Sequence, residues 1–155
     1  MKIIYKKGDL LECEEKIIVH GCNAKGVMGA GVAKEIKRKY PFAFNLYRWH
    51  YENEGLKLGQ VIIAKCKGDK LIMNAIIQTN YGRENKKYVS YNAIERCMSF
   101  INNEIKNNKK TYEKVWGSAI AMPKIGAGLA GGNWSIIEEI IEKELTEVQS
   151  VVYYL

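Results

Sequence analysis

The sequence predicts an α/β fold: a three-layer α/β/α sandwich around a mixed sheet of about six strands, formed by a single domain over residues 1–155. Short β-branched, apolar segments alternate with segments of helical periodicity, which is typical of a mostly parallel sheet covered by helices on both faces. Two apolar segments within residues 60–77 are separated only by Lys67-Gly68-Asp69, which indicates a hairpin and therefore one antiparallel pair. A length of 155 residues suits one domain with its own core.

The predicted strands share a short run of β-branched and apolar residues. They cover residues 2–5, 16–21, 60–66, 70–77, 115–122 and 148–154. The order of these segments, with helical patterns between most of them, gives the alternation on which the fold class depends.

Four helices are predicted from apolar residues at helical spacing. The first carries Val32, Ile36 and Tyr40 and ends at Pro41, where the proline ring prevents its continuation. A second runs from about Phe42 to Tyr51. The third starts after Ser90, a plausible N-cap, and the fourth starts near Asn133. The residues expected to be buried in these last two helices are Tyr91, Ile94, Cys97, Met98, Ile101 and Ile105, and Ile136, Ile137, Ile140, Ile141 and Leu145.

Charge, the N-terminal segment and cysteine usage narrow the class of protein, although charge alone does not decide the ligand. The net charge of +7 would attract a nucleotide diphosphate or a nucleic acid, although scattered lysines on an ordinary solvated surface explain it equally well. The N-terminus has no apolar run of signal-peptide or membrane-span length, so we expect a cytoplasmic protein without a membrane partner. The four cysteines form no CxxC pair and only two histidines occur, which predicts reduced thiols, no metal site and no cofactor.

Two glycine-rich segments each lead from a predicted strand into a predicted helix. The segment 20–33 has four glycines within the eleven residues 21–31. The segment 123–134 has four within the seven residues 126–132. Glycine lets a backbone approach a ligand closely, and a helix N-terminus offers unpaired N–H groups to an anion. Two such loops could hold a diphosphate between them; tight turns for helix–sheet packing are the alternative explanation.

In order and spacing, these motifs resemble the macro domain family. The motifs are GDLL from Gly8, VHGCN from Val19, GVMGAGVA from Gly26 and MPKIGAGLAGGNW from Met122. Within that family the chain is most similar to the small phage, bacterial and fungal ADP-ribose-1″-phosphate phosphatases. The related terminal ADP-ribose protein glycohydrolases share the first, third and fourth motifs. The resemblance implies that ADP-ribose or ADP-ribose 1″-phosphate is the ligand.

The resemblance also assigns binding residues. It implies that Asp9 accepts a hydrogen bond from the adenine amino group, with Leu10 beside the ring and Leu155 near the same pocket. Asn23 would lie beside the distal ribose, where its amide can hold hydroxyls or orient a water. The two glycine segments would form the walls around the distal ribose and the phosphates, through Met28, Gly29, Ala30, Gly31 and Val32 on one side and Lys124, Ile125, Gly126, Ala127, Gly128, Leu129 and Ala130 on the other.

Catalysis is assigned to His20 and Asn23. His20 is predicted at the carboxyl end of the second strand and could act as general acid or base, because a histidine pKa lies near neutrality; a structural histidine at a strand end is the alternative. The glycohydrolases use a lysine after the fourth strand and an acidic residue in the second glycine segment, where this chain has Gln78 or Thr79 and Ala130. Arg83 is a candidate ligand for a terminal phosphate, or else an exposed loop cation.

Three functions remain open at this point. The first is hydrolysis of ADP-ribose 1″-phosphate to ADP-ribose and phosphate, without a metal. The second is non-catalytic binding of ADP-ribose on an ADP-ribosylated protein or nucleic acid. The third is removal of ADP-ribose by water held at Asn23. We expect a monomer in each case.

Overall fold

The computed structural model describes residues 1–82, 84 and 86–155. The strands are β1 (Ile4–Lys7), β2 (Ile17–Asn23), β3 (Val61–Cys66), β4 (Lys70–Gln78), β5 (Ala119–Met122) and β6 (Gln149–Tyr154). The helices are α1 (Gly31–Lys39), α2 (Pro41–Asn53), α3 (Tyr91–Asn107), α4 (Lys109–Val115) and α5 (Trp134–Glu144), with a short 3₁₀ helix over Leu10–Glu12. No helix within these ranges is both long and apolar enough to cross a membrane.

The six strands form one mixed sheet in the order β1-β6-β5-β2-β4-β3. All neighbouring pairs are parallel except β3 with β4, which form the predicted hairpin. Its connecting turn places both Gly68 and Asp69 at positive φ. The carboxyl ends of β1, β6, β5, β2 and β4 therefore meet at the same edge of the sheet.

Helices cover both faces of this sheet, which confirms the predicted three-layer fold. Ile17 and Val19 pack into the core beneath α3 and α5, whereas Ile18 packs on the opposite face against Ile36 of α1 and Ala43 of α2. Because successive side chains of a strand point to opposite faces, the uninterrupted apolar start of β2 reflects burial on both sides.

The main differences from the predictions concern α4, the start of β5, the end of β2 and the burial of Ile136. Helix α4 was not predicted, and residues 115–118, assigned to a strand from their apolar character, instead end α4 and form the connection to β5. Strand β2 continues to Asn23, two residues beyond its predicted end, because Asn23 still pairs with Gln78 of β4. Ile136 is 41% exposed rather than buried, since Ile137 and Ile141 occupy the core-facing stripe of α5.

Candidate functional site

A cavity of about 750 Å³ lies where β2, β4 and β5 end. Its walls include the two glycine segments that follow β2 and β5, so the structure brings these segments together as the sequence predicted. The predicted binding residues that line it are Asn23, Gly29, Ala30, Gly31, Val32, Lys124, Ile125, Gly126, Gly128, Leu129 and Ala130. Lys124 is the one charged side chain among the described lining residues, and its charge favours an anionic ligand.

The N-terminus of α1 opens into this cavity without a side-chain cap. Ala30 is the N-cap residue, and it has no side chain that could accept a hydrogen bond from the first turn. In contrast, Ser90 caps α3 and Asn133 caps α5. The first N–H groups of a helix have no partner within the helix. The uncapped turn at Gly31 and Val32, both of which line the cavity, therefore presents donors and a partial positive charge to a ligand.

The second glycine segment also presents backbone donors. In the described part of the chain, the N–H groups of Gly128, Leu129 and Ala130 donate to no acceptor. Gly126 has φ +77°, and its carbonyl accepts a hydrogen bond from Gly132 N–H at 2.8 Å, which turns the chain back on itself. Residues 128–130 thus supply unpaired N–H groups, whereas the N–H of Ser135 in the first turn of α5 is taken up by the Asn133 cap.

Asn23 holds the first glycine segment in place. Its Oδ1 accepts hydrogen bonds from Lys25 N–H (2.9 Å) and Val27 N–H (3.4 Å). The Tyr47 hydroxyl lies 2.6 Å from the Asn23 carbonyl and 2.9 Å from Oδ1, so its one proton is shared between them. Its Nδ2 donates to the carbonyl of Val27 at 2.8 Å, which leaves the second Nδ2 hydrogen without a described partner. Because Oδ1 already accepts from two backbone N–H groups, Asn23 is better placed to position the loop and a ligand hydroxyl than to accept a proton from water.

His20 lies away from the cavity, on the face of the sheet covered by α2. It is 0% exposed, and its Nε2 lies 2.6 Å from Oδ1 of Asn74. Asn74 Nδ2 donates to the carbonyls of Ala43 and Ile62, so its Oδ1 faces the imidazole and Nε2 carries the proton. Burial lowers the pKa of His20 to about 4. This placement gives no support to the predicted catalytic role of His20: the ring is buried, its Nε2 is hydrogen-bonded, and it is not among the described residues that line the cavity.

The residues predicted at the adenine end lie at the same edge of the sheet but outside the described cavity. Gly8 N–H donates to the carbonyl of Tyr154, which places Asp9 and Leu155 side by side at the ends of β1 and β6. Asp9 is exposed and its Oδ1 accepts a hydrogen bond from Leu11 N–H at 2.9 Å. Leu155 is 94% exposed. Leu10 and Met28 are core residues, and Ala127 packs against the core, so these three do not line the cavity.

The residues at the end of β4 and just after it were not among the predicted binding residues. Ile77, Gln78, Tyr81 and Gly82 line the cavity, because β4 lies beside β2 in the sheet and ends at the same edge. Their position depends on the parallel pairing of β2 with β4, and the linear sequence does not show which strands are neighbours. Gln78 Nε2 donates to the carbonyl of Asn80 at 2.7 Å. Arg83 lies outside the described residues.

Gly21 and Cys22 also line the cavity, as its floor. A side chain at position 21 would collide with Ile77, so the glycine is required for this packing. The Cys22 thiol lies 3.7 Å from Nε2 of His20, but burial raises the pKa of the thiol well above its usual range. Cysteine attacks as the thiolate. Cys22 and His20 therefore form a neutral structural pair and not a nucleophile with its base.

Comparison with known proteins points to one family. Residues 19–141 match the macro domain family. The chain is 28% identical to an ADP-ribose 1″-phosphate phosphatase from Meyerozyma guilliermondii, over 92% of this chain and 93% of that protein. It is 24% identical to a DNA ADP-ribosyl glycohydrolase from Mycobacterium tuberculosis, over 97% of this chain but only 42% of that longer protein.

The fold is shared with a solved structure that holds a ligand. Thermosipho africanus DarTG in complex with ADP-ribose superposes with a TM-score of 0.78 at 21% identity, covering 97% of this chain and 41% of that one. The match over residues 19–141 accounts for most of the chain, and it includes the strands and both glycine segments that build the cavity. The chain belongs to the macro domain family.

Proposed function

We propose that this protein binds ADP-ribose and hydrolyses ADP-ribose 1″-phosphate to ADP-ribose and inorganic phosphate. The observation that carries the proposal is the convergence of two sets of backbone N–H groups on one cavity: the uncapped first turn of α1 and the donors of residues 128–130. Such an arrangement suits a diphosphate. The similarity to phosphatases of comparable length supports the choice of substrate.

The ligand would lie along the carboxyl edge of the sheet. Asp9 and Leu155, at the ends of β1 and β6, would hold the adenosine half. The diphosphate would cross the end of β5 between the two glycine segments. The distal ribose would then reach the ends of β2 and β4, where the free Nδ2 hydrogen of Asn23 can donate to a hydroxyl. This orientation places the 1″-phosphate beyond Asn23, near Tyr81 and Gly82.

The proposed chemistry depends on positioning and on stabilisation of charge. Water attacks phosphorus, the bond from phosphorus to the 1″ oxygen breaks, and the proton from water ends on that oxygen. Backbone N–H groups aimed at the phosphoryl oxygens stabilise the charge that develops there. The described wall has no histidine, and the Cys22 thiol stays protonated, so neither supplies a general base.

The second candidate function is recognition of ADP-ribose without turnover. It is favoured by the lack of a general base in the described wall of the cavity, because a site that only binds its ligand needs no acid or base. Removal of ADP-ribose from a macromolecule, the third possibility, receives less support, since Oδ1 of Asn23 already accepts from two backbone N–H groups.

One assay separates these functions. Purified protein is incubated with ADP-ribose 1″-phosphate, with ADP-ribosylated protein and with ADP-ribosylated DNA, and the release of phosphate and of ADP-ribose is followed. Gly128→Val, which fills the cavity, is the test variant. Lys65→Val is the control, because Lys65 is an exposed residue of β3 near the opposite edge of the sheet.

We expect phosphate release from the small substrate that is lost in Gly128→Val and kept in Lys65→Val. Binding of ADP-ribose with no release from any substrate would establish the non-catalytic function. Release of ADP-ribose from the macromolecules alone would establish the third function. Failure of the folded protein to bind ADP-ribose at all would overturn the proposal.

A further inference from the structure

A second cavity, of about 630 Å³, adjoins the first. The two share Val27, Tyr81 and Gly82, so they meet at the point where the proposed orientation of the ligand places its terminal phosphate. Lys25, two residues after Asn23, lines the second cavity and not the first. A phosphate that extends beyond the distal ribose therefore enters a space lined by this lysine.

The first cavity lacks the positive charge that a third phosphate requires. Lys124 is the one charged side chain among the described residues that line it. The diphosphate carries about two negative charges, and the terminal monoester adds about 1.5 to 2 at pH 7. A single ammonium group leaves most of this charge unbalanced, so a cation from outside the first cavity would favour the ester.

The described wall of the second cavity contains two lysines, Lys25 and Lys86. Lys86 Nζ pairs with the Glu84 carboxylate at 3.3 Å and lies 5.0 Å from the centroid of the Tyr88 ring. Lys25 is exposed, and no carboxylate of a described residue forms an ion pair with it. Lys25 is therefore the cation of this wall that can meet a phosphate without first losing a carboxylate.

The backbone at Lys25 is held in place on both sides. Its N–H donates to Oδ1 of Asn23 at 2.9 Å. The next residue, Gly26, has φ +75°, and its carbonyl accepts a hydrogen bond from Nη1 of Arg48 at 3.2 Å. A Cβ added to Gly26 would lie 2.6 Å from the Tyr51 ring, so the chain runs close against α2. Because the backbone is already ordered, only the flexible side chain of Lys25 loses freedom when a phosphate binds.

We propose that Lys25 is a specificity-determining residue: its ammonium group binds the terminal phosphate of ADP-ribose 1″-phosphate at the junction of the two cavities, and the protein therefore prefers this ester to ADP-ribose. The inference rests on the proposed function, because it takes the orientation of the ligand from it. The ammonium group contacts the phosphoryl oxygens in the bound substrate and in the transition state alike, so it lowers KM more than it raises kcat. Inorganic phosphate, the second product, competes for the same lysine.

Calorimetry with two ligands tests this assignment. One is ADP-ribose, and the other is the phosphonate analogue of ADP-ribose 1″-phosphate, in which a methylene group replaces the 1″ oxygen and prevents hydrolysis. The wild type should bind the phosphonate about 3- to 10-fold more tightly than ADP-ribose, the effect of about one net hydrogen bond. Lys25→Met should abolish this preference and leave the affinity for ADP-ribose unchanged, whereas Lys25→Arg should retain the preference. Lys65→Met, which removes the same charge from an exposed position of β3, is the matched control and should also retain it.

The kinetics of phosphate release give an independent readout on the same variants. Lys25→Met should raise KM for ADP-ribose 1″-phosphate by about 3- to 10-fold and leave kcat within about twofold of the wild type. Inhibition by added inorganic phosphate should weaken by a similar factor. A merely structural role of Lys25 would weaken the binding of ADP-ribose to the same extent, and that result would overturn the inference.

The failure of this inference differs from the failure of the proposed function. A preference for the phosphonate that is absent in the wild type, or unchanged in Lys25→Met, would overturn the inference and leave the proposed function standing as long as ADP-ribose binds and phosphate is released. An equal loss of preference in Lys65→Met would also overturn it, because the net charge and not a contact with Lys25 would then explain the preference. A wild type that prefers the phosphonate but releases no phosphate would count against the proposed hydrolysis, and loss of that preference in Lys25→Met would still support the role of Lys25.

Discussion

Nε2 of His20 donates a hydrogen bond to Oδ1 of Asn74 across the pair of strands β2 and β4. Asn74 is held in turn by the carbonyls of Ala43 and Ile62. The pair therefore ties the centre of the sheet to α2 and to the hairpin strand β3. A buried, fully satisfied pair of this kind contributes to stability and acts far from any bound ligand.

The first prediction is a loss of stability at acid pH caused by His20. Its pKa is lowered to about 4 in the folded protein, below the unfolded value, so the unfolded state binds the proton first. Between pH 7 and pH 5, the free energy of unfolding should fall by about 2 kcal/mol more in the wild type than in a variant without this imidazole. Urea unfolding of the wild type and of His20→Gln at both pH values measures the difference.

The same variant tests whether His20 has a catalytic role. His20→Gln can still donate to Asn74, so phosphate release per folded molecule should stay within about threefold of the wild type, whereas loss of a catalytic acid or base costs at least about 100-fold. A loss of that size in a folded variant would return His20 to the mechanism.

The second prediction concerns two glycines of the same segment. A side chain at Gly128 would meet no atom within 4 Å, whereas Gly126 has φ +77° and its added Cβ would lie 3.1 Å from Ile137 and Ile94. Gly128→Val should therefore fold normally and fail to bind ADP-ribose. Gly126→Val should lower the melting temperature markedly. Thermal unfolding and calorimetry on both variants check this, and normal binding by Gly128→Val would show that the segment does not contact the diphosphate.

The third prediction is that Tyr47 controls affinity through Asn23. Its hydroxyl is within hydrogen-bond distance of the Asn23 carbonyl (2.6 Å) and of Oδ1 (2.9 Å). Tyr47→Phe should weaken ADP-ribose binding by about 3- to 10-fold, the effect of one net hydrogen bond on the loop. Tyr112→Phe is the matched control: its hydroxyl donates to Glu104 on the helices remote from the cavity, and its loss should affect stability alone.

The fourth prediction uses the uncapped helix α1. Ala30→Ser should stabilise the unliganded protein by about 1 kcal/mol, because the hydroxyl caps the first turn. The same bond occupies a donor that the ligand would use, so affinity should fall, and Ala30→Asp should reduce it further by charge repulsion. Ser90→Ala on α3 removes an existing cap and should lower stability without changing affinity. Tighter binding by Ala30→Asp would contradict an anionic ligand at this turn.

The sequence allowed the sheet, the hairpin and both glycine segments to be predicted, because each has a local signature. Burial of β2 on both faces and the break at Pro41 are visible in the order of residues alone. Helix α4 had no such signature, since Tyr112 is its one buried residue and the rest is mostly polar. The apolar pair Val115 and Trp116 at its end was predicted to begin the strand that the structure starts at Ala119.

The position of His20 shows what local patterns leave out. The predicted end of β2 at Gly21 placed His20 at the strand terminus and near the ligand. Pairing of Asn23 with Gln78 extends the strand and moves His20 three residues inside it. That extension depends on a neighbour 55 residues away in the chain, as does the contribution of Ile77 and Tyr81 to the cavity.

The buried Cys22 thiol should react slowly, because burial raises its pKa. Alkylating agents and peroxides react with thiolates, and burial keeps Cys22 in the protonated form across the physiological pH range. A small oxidant that enters the cleft therefore meets an inert sulfur. Alkylation of Cys22 in the folded protein should therefore be much slower than in the unfolded chain, which a thiol-reactive dye with and without denaturant would measure.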